Sequence, residues 1–292
     1  MTSTIRAANL SLGWMQALDH LLNCGGKATN IIVVVEQVHE EIPEIRQLLD
    51  TFIDEYNQRQ RVKHQQTPRK ARDRMFSVAT VANTLFPQAL YNPHRDNARA
   101  FLYDQYEKSF SVLQRFPPNK YGTYFRRMVA YPDNDKTTNQ LEHVIHRLQV
   151  QLRSPNPLSS AYEISFDEFD EVYEVDDMKV ENEGAEAVRV FAPDRDNRLR
   201  GFPCLSHISL TLFKQQLHLT ALYRNQHFIE RAYGNYVGLS RLLSFVCHEV
   251  GCEPGELVCI ASHADAQLEV GKRAIAALLE RCQLVLHTEQ ES

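Results

Sequence analysis

The chain has 292 residues, of which 43% are hydrophobic and 24% charged, with 32 Lys and Arg against 37 Asp and Glu for a formal net charge of -5. This is close to the average of globular domains and long enough to bury a sizeable core. It excludes a fibre, a disulfide-stapled secreted scaffold, a basic nucleic-acid-polymer module and, with no apolar run near the roughly 18 residues a bilayer crossing needs, a membrane span.

Asn9 or Ser11 can cap a first helix whose Leu10, Trp14, Leu18, Leu21 and Leu22 share one face, and Gly25-Gly26 stops it. The β-branched run Ile31–Val35 reads as a strand buried on both faces. A helix around Ile45–Phe52 is followed by the polar, basic stretch Asn57–Arg74, expected as a surface loop over about 57–75. Val81–Pro87 reads as a pocket wall or an ordinary turn, and residues 97–116 and 139–153 carry helical periodicity. Residues 159–166 are strand-like. Between Asp167 and Glu186 lie ten acids and one base, Lys179, so 167–190 is expected as an acidic insertion: a solvated excursion, or a gate or docking segment. Outside Asp167–Glu186 the chain carries 31 bases and 27 acids, which suits an anionic ligand better than the total suggests. His207–Phe213 and Leu217–Tyr223 alternate polar and apolar residues across Lys214-Gln215-Gln216, the pattern of a hairpin. A helix over about Val237–Val250, a strand Leu257–Ala261, a helix over about Leu268–Cys282 and a closing strand Leu284–Leu286 complete the chain. Strands mixed with long helices, without regular alternation, predict an α+β fold with one large mixed sheet flanked by helices.

Six cysteines stand at 24, 204, 247, 252, 259 and 282, with no CxxC pair and no amino-terminal apolar leader, so a reducing cytoplasm is the expected compartment. Cys247, Cys252 and Cys259 with His248 match no zinc spacing, and no metal is expected. Cys204, in Gly201-Phe-Pro-Cys204, has its backbone held by proline before a strand and is a candidate nucleophile. Arg224 follows in Leu222-Tyr-Arg-Asn-Gln-His227, then Asn235 in Tyr233-Gly-Asn-Tyr, then Ser262-His-Ala-Asp-Ala-Gln267.

This order resembles the thymidylate synthase and pyrimidine-nucleotide hydroxymethylase family, in which a Pro-Cys-His nucleophile precedes an Arg-Ser-x-Asp phosphate segment, an Asn before a helix and an x-Asp-x-His-x-Tyr segment. Tyr121-Gly122, Arg126 or Arg127, and Asn139-Gln140-Leu141 resemble the family's Tyr-Gly-x-x-x-Arg and Asp-Gln segments, and Pro155 fits the turn after that helix. The resemblance covers about 118–160 and 200–290. It implies a single thymidylate synthase-like domain over 1–292, a homodimer packed through its sheet, and transfer of a one-carbon unit from 5,10-methylenetetrahydrofolate to carbon 5 of a uracil-type pyrimidine nucleotide, leaving methyl or hydroxymethyl. Cys204 is then the catalytic nucleophile. Arg224 binds the phosphate beside Asn225, Asn235 reads the base edge unless it is a helix cap, and Asp265 and Gln267 meet the sugar. His207 and His263 are spare groups for acid/base work, or core and surface histidines.

The sequence also departs from the family. Leu205 replaces the His after the nucleophile, Asn225 and His227 replace the Ser and Asp, and Asp265 and Gln267 replace the His and Tyr. The paired arginines that cross the dimer are absent near Leu158-Ser159, leaving Arg153 nearest, while Arg195, Arg198 and Arg200, or His94, Arg95 and Arg99, are possible substitutes. The family's glutamate falls near Gln47. The alternative expectation is a catalytically inactive nucleotide-binding or assembly protein of the same fold.

Overall fold

Asn9, extended at φ -139°, accepts a hydrogen bond from the Leu12 amide at 3.0 Å and caps helix α1 (Leu10–Asn23). The computed structural model describes residues 2–64, 74–116, 119, 122–133, 136–153, 184–192 and 203–290. Contacts divide the chain into two units, one of Met1–Phe86, Tyr223–Ser240 and Val258–Ser292, the other of Pro87–Leu222 and Arg241–Leu257.

In the first unit, strand β1 (Ser3–Ala7) lies parallel to β2 (Lys27–Val35), Ser3 opposite Ile31 and Ala7 opposite Val35, with α1 as the crossover. Gly25 and Gly26, at φ +81° and +95°, end α1 in the left-handed region that side chains resist. Trp14, Leu18 and Leu21 are fully buried. Helix α2 runs Pro43–His64, so 57–64 of the expected surface loop is helical. The cause is Asn57, whose buried amide exchanges two 3.0 Å hydrogen bonds with the Met75 backbone and ties the helix to the chain that follows. Residues 65–73 lie outside those described. Val81–Leu85 belongs to α3 (Val78–Leu85), capped by Ser77.

In the second unit, α4 (Ala98–Leu113), α5 (Tyr124–Val129), the small hairpin β3 (Tyr131–Asp133) and β4 (Lys136–Thr138), and α6 (Gln140–Arg153) precede three strands. Strand β5 (Gly184–Arg189) pairs antiparallel with β6 (Leu205–Phe213), Arg189 opposite His207. The end of the expected 167–190 insertion is therefore an edge strand, because six residues there find ladder partners; 167–183 and the strand-like 159–166 lie outside the described residues. The hairpin to β7 (Gln216–Tyr223) turns on Lys214 and Gln215, at φ 48° and 67°, the two positive angles of a two-residue turn matched to strand twist.

After β7 come the two-residue β8 (Gln226–His227), a π-helical turn (Phe228–Ala232), α7 (Tyr233–Val250), β9 (Glu253–Asp265) and α8 (Lys272–Gln290). The strand order is β1-β2-β9-β7-β6-β5, with β8 parallel to β9, a mixed sheet flanked by helices as expected. Residues 284–286 are helical rather than a closing strand. Ile275, Leu278, Leu279 and Cys282 bury one helical stripe, and Leu284, 64% exposed, continues the same helix in solvent. Among the described residues no helix is long and apolar enough to cross a membrane.

Helices α3 and α7 approach through glycine. A Cβ on Gly238 would lie 2.7 Å from Leu85 Cβ and 2.8 Å from the Ala82 carbonyl oxygen, and one on Gly234 would lie 2.5 Å from Val81 Cβ. Backbone cannot yield as a side-chain tip can, so Gly238→Ala is expected to destabilise by about 1–3 kcal/mol. Thermal denaturation checks this, and an unchanged midpoint would contradict the close approach.

Candidate active site

The segment from β8 into α7 is held by polar contacts that reach far along the sequence. The Trp14 indole N–H donates to the Phe228 carbonyl at 2.8 Å, and its ring meets the edge of Tyr233 at 5.5 Å. The Tyr233 hydroxyl lies 2.7 Å from Ser11 Oγ and donates to Glu41 at 3.2 Å, while Arg46 pairs with Glu41 at 2.7 Å. Burial raises the phenol's pKa above the usual tyrosine range, so it stays a donor. Ser240 hydrogen-bonds the Val38 carbonyl one face further on. These anchors fix α7, and with it Asn235, its third residue, which is therefore no helix cap. Asn235 is 3% exposed, and among the described residues its Oδ1 has no hydrogen-bond partner; neither do Nε2 of buried Gln226 or the hydroxyl of buried Tyr236. Buried polar atoms left in this state cost about 1–3 kcal/mol each and favour a ligand that satisfies them.

A second cluster joins the turn after β7 to β9. The His263 amide donates to the Arg224 carbonyl at 3.2 Å, which pins the half-buried Arg224 backbone to the strand. The Asn225 carboxamide bridges two imidazoles, its Oδ1 2.7 Å from His263 Nδ1 and its Nδ2 2.8 Å from His227 Nε2. An amide nitrogen only donates, so this assignment makes His227 Nε2 an acceptor and His263 Nδ1 a donor. Asp265 accepts from the Gln267 amide at 2.7 Å and pairs with Lys27 at 3.3 Å. Gln267, left-handed at φ 58° and 4% exposed, accepts the Glu230 amide of the π-helical turn at 2.9 Å. Both residues expected at the sugar thus have internal partners.

The second unit carries Cys204, part-exposed at the bend before β6, with Leu205 fully buried next to it. His207 stands on the open face of β6, and partial desolvation lowers its pKa, which favours the neutral imidazole. Gln140 is a clasp: its amide donates to the Arg127 and Arg189 carbonyls at 3.1 and 2.8 Å and accepts from the Arg189 amide at 2.8 Å. Arg127 donates to the Val190 carbonyl at 3.1 Å, and Arg126 pairs with Glu107 and covers Phe110. Of the possible phosphate substitutes, Arg99 pairs with Glu142 and Glu249 and Arg95 stacks on Phe101. Exposed Arg153 ends α6, whereas Arg195, Arg198, Arg200, Tyr121, Pro155, Leu158 and Ser159 lie outside the described residues.

Sequence reasoning missed Lys27, Gln226, Tyr236 and Glu41. Gln47 is exposed on α2, and the carboxylate bonded beside α7 is Glu41, which only the long-range partner Tyr233 could have singled out. An open groove of about 700 Å³ runs past Glu41, Glu40, His39 and Asn9 and includes none of the expected site residues. Among the described residues no group of three or more His, Cys, Asp or Glu converges.

No family model matches the sequence. Over 72 residues the chain is 32% identical to a protein of Methanosarcina mazei that bears the provisional name thymidylate synthase, and equally to those of Methanosarcina barkeri and Methanosarcina acetivorans. The similar stretch is 25% of this chain, and the chain spans only 33% of the length of each of these relatives. The protein is thus similar, over part of its length, to proteins of the thymidylate synthase type.

Gln267 offers a direct test of structural against substrate-binding use. Gln267→Ala removes the acceptor of the Glu230 amide and is expected to lower the stability of the ligand-free protein by about 1–3 kcal/mol. A variant that melts like the wild type without ligand would contradict the structural role.

Proposed function

We propose that the protein transfers a one-carbon unit to carbon 5 of a pyrimidine nucleotide of the uracil type, with Cys204 as nucleophile. The observation that carries this reading is Asn235, buried on α7 with an Oδ1 that meets no hydrogen-bond partner among the described residues. The partial similarity to provisionally named thymidylate synthases supports the same class.

In this reading the Cys204 thiolate adds to carbon 6 of the ring, and the displaced electron pair makes carbon 5 nucleophilic. Arg224 binds the phosphate by its planar fork and favours the ionised thiol. The open Oδ1 of Asn235 accepts from the ring NH, while its amide donates to oxygen 4, which holds the base as uracil rather than cytosine. The co-substrate, 5,10-methylenetetrahydrofolate, supplies the methylene carbon. Loss of the carbon-5 proton as the methylene–nitrogen bond breaks releases tetrahydrofolate and leaves an exocyclic methylene on the ring; a hydride from tetrahydrofolate, or hydroxide from water, then adds to that carbon as Cys204 is expelled, leaving methyl or hydroxymethyl. His263, its Nδ1 held by Asn225, and His207, kept neutral on its strand, are the groups proposed to move protons. Asp265 and Gln267 shape the sugar's surroundings through Lys27 and Glu230. The proposed reading includes a homodimer packed through the half-open sheet face that carries Val258 and Ile260, which is expected to sediment at twice the 33.7 kDa chain mass.

Release of tritium from carbon-5-labelled uridine and deoxyuridine nucleotides, with the folate present, tests the chemistry. Wild type is expected to release tritium and Cys204→Ala to fall at least a thousandfold, toward background. Nucleotide-dependent thermal stabilisation without any release would instead identify a binding protein of this fold.

A further inference from the structure

The carboxyl end of α7 holds two cysteines in a geometry that no step of the proposed reaction uses. The Gly251 amide donates to the Cys247 carbonyl at 2.8 Å and the Cys252 amide donates to the same oxygen at 3.1 Å, with Gly251 left-handed at φ 83°. The bond from Cys252 back across six residues is that of a Schellman cap, which brings the side chains of its first and last residues together. In most caps those two residues form an apolar contact; here both are cysteines.

We propose that Cys247 and Cys252 form a redox-modification site, in which Cys252 is oxidised by a peroxide and Cys247 resolves it to an intrachain disulfide. The two roles follow from the surroundings. Cys252 is part-exposed, whereas Cys247 is 4% exposed. The Cys247 thiol donates a hydrogen bond to the Cys252 sulfur, which holds Cys252 below the usual thiol range and Cys247 above it. A reachable sulfur with thiolate character beside a protonated, buried partner is the arrangement of a sensing cysteine and its resolving cysteine.

The chemistry balances. The Cys252 thiolate attacks one peroxide oxygen, the oxygen–oxygen bond breaks, and the sulfenic acid forms with release of hydroxide. The Cys247 thiol then attacks the Cys252 sulfur, the sulfur–oxygen bond breaks, and water leaves. Two thiols and one hydrogen peroxide become one disulfide and two waters. The bond closes a short loop around the cap and pins the turn that bears His248 and Glu249. Those two side chains hold the Tyr91 hydroxyl at 2.7 Å each, Glu249 also pairs with Arg99, and its carbonyl accepts from Gln149 at 2.7 Å. Oxidation thus acts where α7 meets the partners of three other segments of its unit.

Glu249 lies between the two cysteines, and Glu253 and Glu256 separate Cys252 from Cys259, so cleavage after glutamate gives a direct readout. The full chain is treated with hydrogen peroxide, unfolded, alkylated with N-ethylmaleimide and cleaved. The expected product is the pair of fragments carrying Cys247 and Cys252 joined until a reductant is added, at peroxide doses that leave buried Cys259 and Cys282 alkylated. In Cys247→Ser, Cys252 is expected to stop at the sulfenic acid and be captured by dimedone. Recovery of both thiols alkylated under doses that oxidise exposed Cys24 would overturn the proposal, as would wild-type Cys252 advancing to sulfinic acid as fast as in Cys247→Ser.

Discussion

The hydrogen bond from Trp14 to the Phe228 carbonyl is the joint on which the first unit turns. A π-helical turn widens the chain and throws backbone groups out of the regular ladder, so each needs a partner from elsewhere. Trp14 takes a carbonyl at the turn's start, and Gln267 takes the Glu230 amide in its middle. Tyr233, stacked edge-on against Trp14 and bonded to Ser11 and Glu41, starts the helix that follows. The result delivers Asn235 to a fully packed site with one acceptor open. Removing any of these supports is expected to displace Asn235, the residue proposed to read the base, without touching it.

Charge at the site is arranged in the same economical manner. Asp265 is occupied by Lys27 and by a backbone amide, and Asn225 fixes the hydrogen-bonding roles of His227 and His263. Where relatives of the proposed class are expected to carry His and Tyr against the sugar, this chain carries an acid and an amide that hold its own backbone. In the proposed function, recognition of the nucleotide therefore leans on Arg224, on Asn235 and on what the buried amide of Gln226 meets, more than on the sugar hydroxyls.

The hairpin and the first helix, with its Asn9 cap and Gly25-Gly26 stop, were legible because each is a local pattern. What was not legible depends on distant partners. β1, with only Ile5 and Ala7 apolar, exists because it pairs with β2. The extension of α2 depends on Asn57 meeting Met75, and the early start of β9 on Glu253 meeting Gln215. Leu284–Leu286 has strand composition, yet its helix was already formed by residues before it. The same limit applies to the candidate site: Cys204, Arg224 and Asn235 stand out through their resemblance to family segments, whereas the contacts of Lys27, Glu41 and Gln226 arise only through folding.

The central claim is that Cys204 becomes covalently bonded to a pyrimidine ring. Fluorine at carbon 5 cannot leave as a cation, so a 5-fluorinated uracil nucleotide should halt the reaction with the cysteine still attached. Intact mass of the protein after incubation with that nucleotide and 5,10-methylenetetrahydrofolate is the most direct measurement. The account predicts a stable mass increase equal to nucleotide plus co-substrate on wild type, located at Cys204 and absent from Cys204→Ser. An unmodified wild-type mass at saturating ligand, or the same increase on Cys204→Ser, would contradict it.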